Sequence, residues 1–376
     1  MNANTLDPSR NQCMLTGKLA YEGYDWWWHS FTAHHEQTGE EKSFFIEYFL
    51  CNPELAKEKP EFGVSGDGTR GKNKPSYMMV KAGTWGKDHR QIHRFFPWKD
   101  VDVTWGTPYC VQAGECLACD TNLIGSVCVS DEDAKAHPEW MSDAGSMAWD
   151  LELDKQIAFN VGYGASERMR NAQMFDMFWH AEGMKTKVKG YVIYNGQKYL
   201  VDPETSYGYS DKNWGCDFTT PWVWLSSWNM TSMDGSKLLN SAFDIGGGRP
   251  VVAHVPLERQ LLSTVCYEGK CYEFNFSKPW TGCKTEFNCY EEKDRVVWHV
   301  TQKTKTAKMI AHISCKKDEM VLANYEAPSG LKKHNRLWNG GTGTGTIELF
   351  EKKQDDWKLI DFIRVANVGC EYGEYC

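Results

Sequence analysis

A carboxylate stands in the middle of one of the most apolar runs of the chain, "SFFIEYFL" at residues 43–50. Glu47 is there either as a paired, structural group or as a proton donor, because burial disfavours the charged form of an acid. His29 in "DWWWHSFTA" shares a strand face with Trp27 and Phe31, so it is either a hydrogen-bonded core histidine or an acid–base group. In "MFWHAEGMK" the residues Phe178, His180 and Glu182 would lie on one strand face, two apart. An imidazole and a carboxylate at that spacing can hydrogen-bond, which fixes the tautomer and brings the pKa near neutrality. A salt-linked structural pair has the same spacing. Finally, "YSDKNWGCDF" gathers Asp211, Lys212, Asn213 and Asp217 around Trp214.

Immediately after that polar group comes "PWVWLSSWNM", residues 221–230. Read as a strand, Trp222, Trp224, Ser226 and Trp228 line one side and Val223, Leu225, Ser227 and Asn229 the other. Trp26 and Trp28 repeat the alternation in the first aromatic run, and Phe45, Glu47 and Phe49 in its partner. Such a row is a two-sided core strand or a wall of rings facing a ligand. A ring wall has a chemical use: protonating an alkene makes a carbocation, which ring quadrupoles stabilise, while a single carboxylic acid or imidazolium supplies the proton. That chemistry needs no cofactor and no metal. The glycine runs "GGGRP" (246–250) and "GGTGTG" (340–345) lack the phosphate-loop pattern, and turns or bulges are their expected use.

The elements that would position these groups are strands. Short alternating runs bounded by Gly, Asn, Asp and Pro recur throughout, and helical periodicity is scarce, so the chain is expected to be all-β. Asn195-Gly196 and Glu268-Gly269 are the clearest hairpin turns, with others expected at Asp234-Gly235, in "KKDEM" (316–320) and in "KKQDDW" (352–357). The stretches 52–75 and 130–140 read as surface loops.

Composition narrows the function classes. A net charge of -8 argues against a nucleic-acid partner, which needs concentrated basic surface. Seventeen tryptophans among 376 residues are an aromatic excess that suits an apolar ligand. No apolar export segment or membrane span is visible, which predicts a cytoplasmic protein with at most transient membrane contact and reduced thiols. The sequence leaves the oligomeric state open. Cys110, Cys116, Cys119 and Cys128 include a CxxC, but their outer spacing fits no zinc pattern, so no metal is expected.

The pattern "GYSDKNWG" followed by "FTTPWVW", with "DWWWHSFTA" and "SFFIEYFL" near the start and "FDIGGGRP" and "GGTGTGTIELFE" later, resembles the tocopherol cyclase family and its relatives among carotenoid hydratases and lipocalin-like proteins. The resemblance implies two lipocalin-like antiparallel β-barrel or sandwich domains packed together, here divided at 14–203 and 204–376, with a hydrophobic cavity. The cysteine-rich segment 110–128 and the loop 52–75 depart from it. The expected activity is a cofactor-independent cyclase, isomerase or hydratase acting by acid–base catalysis on a prenylated, polyunsaturated or aromatic small molecule. Glu47, His29, His180, Glu182, Asp211 and Asp217 are the acid–base candidates. Trp26, Trp28, Lys212, Asn213, Trp214, Trp222, Trp224 and Trp228 are the binding candidates. The alternative is a carrier for a lipid, pigment or quinone, which has no use for buried acids; a zinc-dependent lyase or hydrolase is the weaker third option.

Overall fold

The computed structural model describes residues 3–63, 73–161, 175–252, 255–256, 258–330 and 333–373. Part of the expected loop 52–75 therefore lies outside the described residues. No helix among the described residues is long and apolar enough to cross a membrane.

The first sheet holds β1 (Tyr24–His35), β2 (Glu41–Cys51), β3 (Tyr77–Thr84), β4 (Arg90–Phe96), β5 (Val101–Thr104), β6 (Cys110–Ala113), β7 (Cys116–Cys119), β8 (Asn122–Val129), β9 (Gly145–Phe159), β10 (Met177–Tyr194), β11 (Gln197–Val201) and β12 (Gly208–Gly215). Their order is β4-β3-β2-β1-β11-β10-β9-β8-β7-β6-β5, with β12 bonded to both β1 and β10. The sheet curls back on itself, Arg94 of β4 reaching the Ser126 carbonyl of β8 at 3.4 Å, and Trp27, Phe31, Ile46, Leu123 and Trp149 fill its interior.

The second sheet begins after Gly215. It comprises β13 (Trp222–Ser227), β14 (Asn229–Thr231), β15 (Ala242–Gly248), then, past the separate pair β16 (Val251–Val252) and β17 (Val255–Pro256), β18 (Gln260–Tyr267), β19 (Lys270–Phe274), β20 (Lys284–Glu291), β21 (Arg295–Lys303), β22 (Ala307–Lys316), β23 (Val321–Glu326), β24 (Lys333–Lys353) and β25 (Asp356–Gly373). Val223, Leu225, Ile245, Trp298 and Ile363 form its core. The expected division at 203/204 falls short of β12, which belongs to the first sheet, so the break between sheets lies at residues 216–221.

A third apolar layer, with Trp28, Phe45, Tyr77, Trp179, Trp224 and Tyr325, lies where the two sheets face each other. It explains the two-sided apolar runs. In β2 every residue from Ser43 to Cys51 is buried, because one face points into the first barrel and the other at the second sheet. An antiparallel strand with one solvated face would alternate.

The chain is nearly all β, and four of the expected turns are in place. Asn195 and Gly196 adopt positive φ of 47° and 79°, Glu268 and Gly269 43° and 84°, as a two-residue primed turn requires. Thr231 pairs with Lys237 around Gly235, and Lys353 with Asp356. The turn at 316–320 is different: β22 pairs with β24, so "KKDEM" is a connection and not a hairpin. The loop expected at 130–140 contains a helix, Asp131–Ala136, capped by Ser130, whose hydroxyl accepts from the Asp133 amide at 3.0 Å. The S-D-E-D cap was legible and outweighs the turn-like composition. The thiols are not all reduced, since Cys266 and Cys271, opposite each other across the Glu268-Gly269 turn, form a disulfide.

Candidate functional site

The pleat sorts the candidate residues into two places. β1 runs between β2 and β12, and Trp28 stands opposite both Glu47 and Asp211, while Trp26 stands opposite Asn213. These face the second sheet. The odd-numbered neighbours Trp27 and His29, with Lys212 and Trp214, point into the first barrel.

Inside the barrel the polar groups are paired off. Lys212 forms an ion pair with Asp25 and lies 3.9 Å from the Trp27 ring centroid; burial raises the Asp25 pKa and the Lys212 charge pulls it back. Trp214 stacks on Phe178 at 5.2 Å. Glu182 pairs with Lys155, which also reaches Asp120 at 3.5 Å. Phe178, His180 and Glu182 do share a face, but the expected His180–Glu182 bond does not form: His180 Nε2 is 3.1 Å from Asn11 Oδ1. The N-terminal segment competes for the imidazole. Burial, helped by Arg10, pushes the His180 pKa down to about 3. His29 Nδ1 lies 3.0 Å from Ser210 Oγ, and burial and Lys155 hold its pKa well below the usual value. Neither imidazole is charged near neutrality, so neither is the imidazolium the sequence offered as a proton source.

The remaining expectations divide. Trp222 and Trp224 share the interface face of β13, but the strand ends at Ser227, and Trp228 packs against the same layer from beyond it, lying against Tyr207 at 4.7 Å and donating to the Gly208 carbonyl. Asp217 is half-buried in the bend after β12, where Oδ1 accepts from the Phe218 amide at 2.9 Å. Asn213 faces the interface and accepts from the Tyr24 hydroxyl at 2.7 Å. Cys116 points into the barrel while Cys110 and Cys119 are half-buried and Cys128 is exposed; among the described residues no three His, Cys, Asp or Glu side chains are grouped as metal ligands.

At the interface Glu47 is buried, ion-paired to Lys81 at 3.0 Å, and accepts from the Tyr325 hydroxyl at 3.1 Å. Lys81 Nζ sits 3.7 Å from the Tyr325 ring centroid. Burial raises the Glu47 pKa, opposed by Lys81. Beside this pair is a carboxylate that the sequence did not single out. Glu371 of β25 accepts from Trp222 Nε1 on Oε2 and from Asn339 Nδ2 on Oε1, both at 2.5 Å. Asn339 is oriented in turn by Trp85 Nε1, which donates to its Oδ1 at 2.8 Å. Burial raises the Glu371 pKa to about 7, against the pull of those two bonds.

Glu371 lines a cleft of about 300 Å³ of empty space with Trp26, Phe218, Trp222 and Tyr325. A second cleft of about 350 Å³ lies on the other side of Trp222, bounded by Met177, Trp179, Leu262 and Phe276. Those volumes include space open to solvent; the enclosed room in each is about 20 Å³, enough for about one water molecule. The glycine runs also find a use here that turns do not describe. A side chain at Gly246 would stand 2.8 Å from the Trp179 ring, and one at Gly341 2.1 Å from the Trp85 ring, so the second sheet is stripped of Cβ atoms where indoles of the first lie on it. Bulges occur too, at Gly340, Gly343 and Gly345 of β24.

Asp244, in "SAFDIGGG", and Lys81, in "YMMVKAG", are charges inside apolar runs. The rule that selected Glu47 would have found both. Glu371 in "GCEYG" has no such context.

A family model for tocopherol cyclase-like proteins matches residues 133–373. The chain belongs to this family. The match takes in β9 to β25, including β12, β13 and Glu371, and leaves β1 and β2 outside it. Among individual members, the protein described as "Probable tocopherol cyclase, chloroplastic" of Oryza sativa subsp. japonica is 32% identical over 111 residues, 29% of this chain and 21% of that protein. The tocopherol cyclase of Zea mays is 31% identical over 111 residues and is likewise matched over 21% of its length. The chain thus corresponds to about a fifth of these relatives. Among solved structures, kievitone hydratase from Nectria haematococca superimposes with a TM-score of 0.45 and 12% identity, over 93% of this chain and 88% of the other.

Proposed function

We propose that this tocopherol cyclase-like protein is an acid–base cyclase, isomerase or hydratase that works without a cofactor on a hydrophobic polyunsaturated, prenylated or aromatic small molecule, bound between the two sheets. The observation that carries the reading is Glu371: a half-buried residue whose carboxyl has its pKa raised to about 7, lining a cleft together with the rings of Trp26, Phe218, Trp222 and Tyr325. A proton donor is most effective when its pKa lies near the working pH. Protonation of a double bond transfers the Glu371 proton to carbon and leaves a carbocation beside Trp26, Trp222 and Tyr325, whose ring faces stabilise positive charge. The Glu371 carboxylate then takes a proton back from a neighbouring carbon, from an internal hydroxyl as its oxygen bonds the cation, or from water as it adds, which gives isomer, ring or hydrate and restores the acid. Glu47 is supporting structure in this scheme, since Lys81 and Tyr325 already hold it. A carrier has no use for a carboxyl whose pKa is raised to about 7 beside an aromatic cleft, so Glu371 favours the enzyme reading over the carrier alternative. Of the described cysteines eleven are free thiols and two form the Cys266–Cys271 disulfide; the excess of thiols favours a reducing compartment such as the cytoplasm.

The test is Glu371→Gln. Turnover of the physiological substrate, sought among apolar molecules that copurify with the protein, falls by about 10²–10⁴-fold, while quenching of tryptophan fluorescence still reports binding. Undiminished turnover in this variant removes Glu371 from the chemistry.

A further inference from the structure

Behind the tryptophan wall, two more carboxyls share one phenol. Tyr209 Oη lies 3.1 Å from Asp211 Oδ2 and 3.1 Å from Asp244 Oδ2, and Trp224 Nε1 donates to the same oxygen at 3.1 Å. Trp179 Nε1 donates to Asp211 Oδ2 at 3.0 Å. All three residues are buried, Asp244 completely. The other oxygen of each carboxyl, Oδ1, has no hydrogen-bond partner, and neither acid has an ion-pair partner among the described residues.

Hydrogen counting fixes the protonation. A phenol carries one proton and donates it to one acceptor. One of its lone pairs is taken by the Trp224 N–H. Its contact with the second carboxyl is a hydrogen bond only if that carboxyl carries a proton and donates to the remaining lone pair. If both acids were ionised, one oxyanion would face the phenol oxygen with no hydrogen between them, in a buried site without a compensating cation. At least one proton therefore belongs to the pair. The Trp179 N–H selects its place: Asp211 Oδ2 accepts two donors, which offset part of the cost of burying a charge there, whereas at Asp244 the Trp224 and Ile245 N–H groups offset burial only in part, and Asp244 is left as the acid.

We propose that Asp244, Tyr209 and Asp211 are a one-proton relay, with Asp244 the protonated end and Asp211 the charged end that holds and polarises the Trp179 indole where it walls the second cleft. Shifting the proton across breaks the Asp244 O–H and Tyr209 O–H bonds and makes new ones at Tyr209 and Asp211; no proton leaves the trio. A carboxylate on the indole N–H raises electron density on the ring, and thus its attraction for positive charge. Asp211 acts through Trp179 and is a positioning residue. This use of the relay rests on the function proposed above; the protonation itself does not.

Burial is the largest cause raising the pKa of Asp211 and of Asp244; at Asp211 the acids Glu371 and Glu182 add to it, the Trp179 and Tyr209 bonds oppose it, and the Tyr325 phenol also lies within reach of its charge.

Infrared spectroscopy of the full chain, with carboxyl-labelled aspartate to separate Asp from Glu, reads the proton directly. At about neutral pH the protein shows a protonated aspartate carbonyl band that disappears in Asp244→Asn and persists in Asp211→Asn. Absence of the band from the unsubstituted protein overturns the relay, and this holds even if a variant does not fold. Loss of the band in Asp211→Asn with retention in Asp244→Asn overturns the assignment of its ends. Because the measurement uses no substrate, its failure leaves Glu371 untouched, and failure of Glu371→Gln leaves the band to be read. In turnover, Asp211→Asn lowers kcat on the order of 10-fold with KM little changed; unchanged kcat overturns the role of Asp211 in polarising Trp179.

Discussion

The difference between Glu47 and Glu371 is a matter of neighbours. Both glutamates stand at the same interface, Glu47 buried and Glu371 half-buried, but Glu47 faces a lysine and Glu371 accepts from neutral donors. Removing the lysine exposes this difference. Lys81→Met strands the buried Glu47 charge and lowers stability by about 3–5 kcal/mol, and adding Glu47→Gln recovers most of the loss. Urea unfolding of both variants is the measurement, and a catalytic rather than structural Glu47 would show instead as lost turnover at unchanged stability. Glu371 makes a pH prediction of its own. As a proton donor it is competent while protonated, so the rate falls as pH rises through about 7, and this limb is absent from the residual activity of Glu371→Gln. Stability follows the same sign. The folded-state pKa is raised from 4.5 to about 7, so the contribution of the protonated form is complete below 4.5 and is lost as pH climbs through 7. That is roughly 3 kcal/mol at most. Thermal unfolding of the wild type, relative to Glu371→Gln, should therefore worsen between about pH 5 and about pH 8.

At the scale of elements, strands buried on both faces meet a sheet whose glycines leave room for indoles. β15 carries Gly246 under Trp179, and β24 carries Gly341 under Trp85. The extended backbone is tolerant of alanine in general, but here a methyl group at Gly246 would overlap the ring. Gly246→Ala forces Trp179 off its seat and away from Asp211, which should cost about 1–3 kcal/mol and shift the tryptophan emission and the affinity for apolar ligands together. An unchanged emission spectrum would mean that the ring has another place to lie.

At the scale of the whole molecule, the cleft exists because two sheets press aromatic layers together, so their stabilities should not separate. Trp85 spans the interface, donating to Asn339 and resting on Gly341. Trp85→Ala should destabilise by about 3–5 kcal/mol and lower a single thermal transition seen alike by circular dichroism and by fluorescence. Two separate transitions would mean that the sheets fold independently.

The sequence by itself determined the strand-rich class, the primed turns and the side-chain alternation, because these follow from local steric preference and a period of two. It also determined that Trp26, Trp28, Trp222 and Trp224 would stand on chosen faces of their strands. Tertiary structure decided which face was which. Glu47 and Asp211 went to the interface while His29, Lys212, His180 and Glu182 went into the barrel, a choice that depends on which sheet packs outside β1, β10 and β12. It also decided partners: an N-terminal asparagine took His180, and Lys81 took Glu47. Glu371 stayed illegible because its environment comes from Trp222, Asn339 and Tyr325, which lie on three other strands. A carboxyl's proton affinity is set by the burial and donors that only the packed sheets supply.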